Sequence, residues 1–201
     1  AQLVSLTTAQ IAALTTAQVV AISAENIATM QTADIAALKT AQIVSLTTAQ
    51  VAALTTAQLA GLSTSSVIAL ETADVAVLTV DQIPALTTSQ ALALTTAQIV
   101  ALTSEQVPVL TTAQVAALST ASVASLQTAD VAVLTTAQLV GLTTAQVAAL
   151  TTAQVVALGA DNIAIIETRD IAALTSTQIV SFTTAQIAAL STAQLGALST
   201  G

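Results

Sequence analysis

The chain has 201 residues, 55% of them hydrophobic and 6% charged, with a net charge of −8, two cations (Lys39 and Arg169), and no His, Cys, Trp or Tyr. This balance removes the basic footprint of nucleic-acid binding and disfavours anionic membranes. The missing residue types exclude imidazole, thiolate and disulfide chemistry. Low charge with high apolar content is the opposite of the disordered signature, yet Thr, Ser and Gln interrupt every stretch, so none approaches the roughly 20 apolar residues of a membrane span.

The first predicted element is a helix over about Thr8 to Ala13. Thr7 and Gln10 have the Thr-x-x-Gln spacing of a capping box, and Leu6 and Ile11 flank it as the two halves of a hydrophobic staple. The same unit then recurs every eight residues: Leu14-Thr15…Gln18-Val19, Leu110-Thr111…Gln114-Val115, Phe182-Thr183…Gln186-Ile187. Its leading position is Leu throughout except at Ile22, Met30, Ile166 and Phe182. Each repeat announces a new helix start, so each helix ends before the next cap. Eight residues cannot bury a core alone, and the fold must come from stacking many units. The expected class is all-α: a superhelical solenoid of about 25 short capped helices, one continuous body over residues 1–201.

Two competitors are weaker. In one continuous helix, eight residues at about 100° each overshoot two turns by about 80°, which would wind the Leu stripe around the whole rod. Pro84 and Pro108 would also each break an interior helical bond. A β-solenoid would use the β-branched sixth position and stack Gln in ladders, but the Ala content and the recurring capping box oppose it. Leu at the first position and Ile or Val at the sixth supply the core. Ala91 is small at the sixth position, and the neighbouring Leu92 is expected to compensate.

A coarser rhythm lies over the octads. Four two-repeat cassettes start at Ile22, Leu62, Leu118 and Leu158, separated by five, seven and five repeats. Their first repeat puts Asn26, Ser66, Ser122 or Asn162 where Gln normally stands. Their second carries Gln31/Asp34, Glu71/Asp74, Gln127/Asp130 or Glu167/Asp170 in place of Thr/Gln. The stretch Leu14–Leu59 matches Leu150–Leu195, as if long blocks had been duplicated. One reading makes the cassettes a recurring structural position, such as a contact between superhelical turns of about six repeats. The other makes Asp34, Glu71, Asp74, Asp130, Glu167 and Asp170 candidates for cation or partner contact. Calcium takes six to eight oxygens, and one or two carboxylates per cassette is thin for it.

No catalytic residue, cofactor site or metal site is expected. There is no His and only one Lys to serve as the base that the many hydroxyls would need, the carboxylate pairs recur at four places rather than forming one active site, and there is no phosphate loop or zinc pattern. The octapeptide Leu-Thr-Thr-Ala-Gln-Ile/Val-Ala-Ala, over Gln2 to Thr200, resembles the repeat tracts of very large bacterial secreted or surface proteins, adhesin-like and often labelled haem-utilisation proteins. That resemblance implies an extracellular structural or adhesive role. A haem role gains nothing here, since Met30 is the sole Met and no axial-ligand set exists. Both ends stop on ordinary repeats, with Leu3 and Leu195 at core positions, so the chain is expected to be a segment of a longer array. The expected role is a stalk, spacer or fibre-forming segment, with self-association head to tail or laterally.

Overall fold

The computed structural model describes residues 6–198; Leu3 lies outside them. They form 21 short α-helices and two 3-10 turns, with no strand among the described residues. Most helices are five or six residues long, such as Thr8–Ala13, Thr48–Ala52 and Thr144–Ala149. The all-α solenoid expectation therefore holds and the β-solenoid does not.

The local reason is the cap. At Thr7 the backbone is extended (φ −80°, ψ 156°). The Gln10 N–H donates to Thr7 Oγ1 at 3.3 Å, and the Thr7 N–H donates to Gln10 Oε1 at 2.8 Å. Both halves of the box recur at Thr47, Thr95, Thr143 and Thr183. Each chain turn into a helix is thus paired at its own N-terminus, where helices otherwise leave N–H groups without partners. At Lys39 only the return half survives: its N–H donates to Gln42 Oε1 at 2.7 Å.

Pro84 and Pro108 change the element without breaking the array. Their repeats form the 3-10 turns Ile83–Ala85 and Val107–Val109, each with Pro near the start where the missing N–H costs least. The cap ahead of the first is intact, with the Thr79 N–H donating to Gln82 Oε1 at 2.7 Å. The longest helix, Thr152–Ile165, is two helices joined across a kink at Gly159, with φ 76° and ψ 175°.

The chain divides into two compact units, Ala1–Leu102 and Thr103–Gly201. In each, the first and sixth positions of the repeat form the core: Val51, Leu54, Leu59 and Leu62 in one, Leu139, Leu142, Val147 and Leu150 in the other, all buried. The seventh position, one residue or about 100° further round the helix, faces out. This corrects the expectation for Leu92: it is 56% exposed and does not fill for Ala91, which is itself fully buried. Leu195 is also 45% exposed, because nothing in the described residues packs over the last helix.

Within each unit the helix at one repeat packs on the helix three repeats before it, as Thr40–Val44 does on Thr16–Val20 and Thr144–Ala149 on Thr120–Ser125. Side-chain hydrogen bonds between turns span 28 and 31 residues. The superhelix therefore closes a turn between three and four repeats. The cassette spacing of five and seven repeats is not the length of a turn, contrary to the six-repeat expectation.

Candidate functional site

The bonds that join one turn to the next come from the capping glutamines. Gln58 uses Oε1 to accept from its own N-cap, the Thr55 N–H, at 2.8 Å. Its Nε2 donates to Ile27 O and Met30 O, both at 2.8 Å, on the preceding turn. Gln50, Gln82, Gln90 and Gln98 do the same in the first unit. In the second unit Gln138, Gln146, Gln154 and Gln178 repeat it. Their acceptors stand at the C-terminal end of a helix: for Gln58, Ile27 O, which also accepts from the Met30 N–H at 3.1 Å, and the carbonyl of the C-cap residue Met30 itself. One amide thus caps the N-terminus of its own helix and the C-terminus of a helix one turn away. These side chains are at most 3% exposed, so both bonds lie out of competition with water. We call this series the glutamine ladder.

The sequence reading found the caps but missed the ladder. The available signal was the identity of the residue: Glu would complete the box equally well, yet Glu never occupies this slot in the chain. Gln differs from Glu there only by carrying a donor.

The acidic candidates separate by burial. Asp34, Asp74, Asp130 and Asp170 occupy the ladder slot and are 1–3% exposed, whereas Glu71 and Glu167 are at the surface. No cassette brings more than two acidic groups together, and among the described residues no three His, Cys, Asp or Glu side chains form a metal-holding group. The cassette caps are also weaker than a capping box: Gln31, Glu71, Gln127 and Glu167 receive no hydrogen bond from their helix on the side chain. Their longer arms do not fold back onto the third residue as Thr does. In two of the cassettes the preceding repeat uses a short hydroxyl pair instead, Ser63 Oγ with Ser66 Oγ and Ser119 Oγ with Ser122 Oγ, both at 2.8 Å.

Asp170, Asp130 and Asp74 have different partners. Asp170 Oδ1 accepts from Thr144 Oγ1 at 2.6 Å, and Arg169 Nε stands 3.6 Å away while also pairing with Glu167 at 2.8 Å. Asp130 Oδ1 accepts from Ser104 Oγ at 2.9 Å, and its Oδ2 is buried without a partner. Asp74 accepts from the Glu71 N–H at 3.0 Å. Burial pushes the Asp74 carboxyl above its ordinary value; the Glu71 N–H opposes this, and the Glu71 charge adds to it.

Short capped helices stacked by a repeating side-chain ladder define an all-α solenoid repeat protein. Matches to the ALTTAQ repeat cover residues 27–120, 123–160 and 163–200 in six overlapping or adjacent segments. The chain belongs to the ALTTAQ repeat family. No curated protein and no solved structure matches it.

Proposed function

We propose that the chain is a non-catalytic structural element, a stalk or spacer in a bacterial secreted or surface protein. The observation that carries this reading is the ladder. Every rung uses the same amide and the same offset, so the fold extends by adding repeats and each added turn is bonded to the last one. Stability in such arrays grows with repeat number, which suits a part whose job is reach. The surface it presents is mostly Thr, Ala and Ser with few charges, which offers little for a specific ligand.

The test is a comparison of the chain with a tandem duplicate, joined in octad register, by electron microscopy. A spacer gives rods whose length doubles at constant width. Rods of unchanged length, or two separate bodies at variable angle, would refute it. Location is tested by antibody labelling of intact source cells, where signal confined to the cytoplasm would overturn the extracellular assignment.

End-to-end self-association is a second reading, favoured by the last turn. Ile187 and Leu195 are 41% and 45% exposed, at an octad position that is 0–1% exposed through most of the chain. Further repeats of a longer chain would cover that surface, and so would a second copy. Long fibres from the purified chain support the second copy; monodisperse short rods exclude it.

A further inference from the structure

The cassette Leu62 to Ala76 removes two successive rungs from the ladder. By the register that Gln58 and Gln82 obey on either side, Ser66 is set against the carbonyls of Ile35 and Leu38, and Asp74 against those of Ile43 and Leu46. Ser66 is too short to cross, and its hydroxyl is engaged by Ser63 at 2.8 Å. Asp74 is 2% exposed and, among the described residues, its one hydrogen-bond donor is the Glu71 N–H. An ionised carboxylate there sets an acceptor against acceptors. We propose that this cassette is an acid-locked joint: a proton taken up by Asp74 from solvent turns its carboxyl into the donor that the missing glutamine amide would supply.

The surroundings distinguish Asp74 from Asp130 and Asp170. The helices packed on its own, Thr48–Ala52 and Thr96–Val100, carry no titratable residue, and neither does the segment Ile43–Leu46. The charged group beside it is Glu71 on its own helix, which is of like sign. Asp170 instead has the Thr144 hydroxyl and the Arg169 guanidinium to serve its oxygen, and Asp130 has the Ser104 hydroxyl. The upward shift at Asp74 is in the direction the joint requires. Because the folded carboxyl holds its proton more tightly than the unfolded one, the stabilisation is complete below the unfolded value of 3.8 and is lost as pH rises through the folded value.

The experiment compares wild type, Asp74→Gln and Asp81→Asn by guanidinium unfolding between pH 7.5 and pH 4. Asp81 is exposed and removes the same charge. Asp74→Gln restores a permanent donor, so it is expected to unfold at higher denaturant than wild type at pH 7.5, with the gap closing toward pH 4. Each pH unit between the two carboxyl values changes the wild-type opening constant by about tenfold. Asp81→Asn is expected to track wild type at every pH. Asp74→Asn is the second variant should the glutamine fail to fold, and hydrogen exchange of the Leu46 and Val75 amides locates the effect. A gap that stays constant with pH, or that appears equally with Asp81→Asn, overturns the joint.

Discussion

Replacing Gln90 with Glu keeps the size of the side chain and its cap acceptor but removes the amide donor. Gln90 is 1% exposed, accepts from the Thr87 N–H at 2.7 Å, and donates to Leu59 O at 2.9 Å and Leu62 O at 2.8 Å. Two lost hydrogen bonds at about 1 kcal/mol each, with the carbonyls left facing an acceptor, give roughly 2 kcal/mol or more. Desolvating an unpaired carboxylate brings the total to about 3–5 kcal/mol at neutral pH. If the glutamine were only a cap, the same change would be neutral or favourable by about 0.3–1 kcal/mol, because Glu completes the box and suits a helix N-terminus. The two roles thus predict opposite signs. The chain has one Phe and no Trp or Tyr, so guanidinium unfolding is followed by far-ultraviolet circular dichroism. The deficit is expected to shrink toward pH 4, as the buried carboxyl takes a proton and regains one donor. A Gln90→Glu chain within 0.5 kcal/mol of wild type at pH 7 would refute the ladder as a source of stability.

Other substitutions probe the remaining devices. Thr143→Ala removes the hydroxyl that accepts from the Gln146 N–H at 3.3 Å and is expected to cost about 1 kcal/mol, while Thr143→Ser keeps most of it. Leu139→Ala, at 1% exposure, is expected to cost about 2–5 kcal/mol, against at most about 0.5 kcal/mol for Val140→Ala beside it at 40%; equal effects would contradict the outward seventh position. Gly159→Ala is expected to cost about 1–3 kcal/mol although nothing lies within 4 Å of the added carbon, since the penalty is the backbone's φ of 76°. A melting temperature unchanged by that substitution would mean the backbone there relaxes freely.

What could be read from the sequence follows the distance over which each device acts. Thr7 and Gln10 are three residues apart, and their chemistry is complete within one turn of helix, so their spacing announced both the cap and the helix that follows. The Nε2 partners of Gln58 lie 28 and 31 residues away. That offset depends on how many repeats close a turn, which the packing of the Leu and Ile positions decides and no local pattern records. Asp34, Asp74, Asp130 and Asp170 were visible as departures from the octad, but their burial was not, because it follows from the same unknown register. Leu92 was misplaced for a related reason: hydrophobicity suggested a core role, while a helix of six residues turns its seventh octad position away from the core.

The offset of about 28 residues has a further consequence, since it is three and a half octads. With a whole number of repeats per turn, each helix start would lie over another helix start, setting N–H groups over N–H groups and like partial charges together. The half repeat instead lays the start of one helix over the end of another. At that crossing the Thr55 N–H and the carbonyls of Ile27 and Met30 come within reach of a single Gln58 amide, whose two ends have opposite hydrogen-bonding character. Eight residues suit this geometry because they hold one cap, one short helix and two core side chains with little to spare. Inserting or deleting a single residue would shift off its carbonyls every amide whose 28- to 31-residue span crosses that point, whereas adding a whole octad leaves an equivalent carbonyl under each, and this explains how the period runs through the chain without a slip.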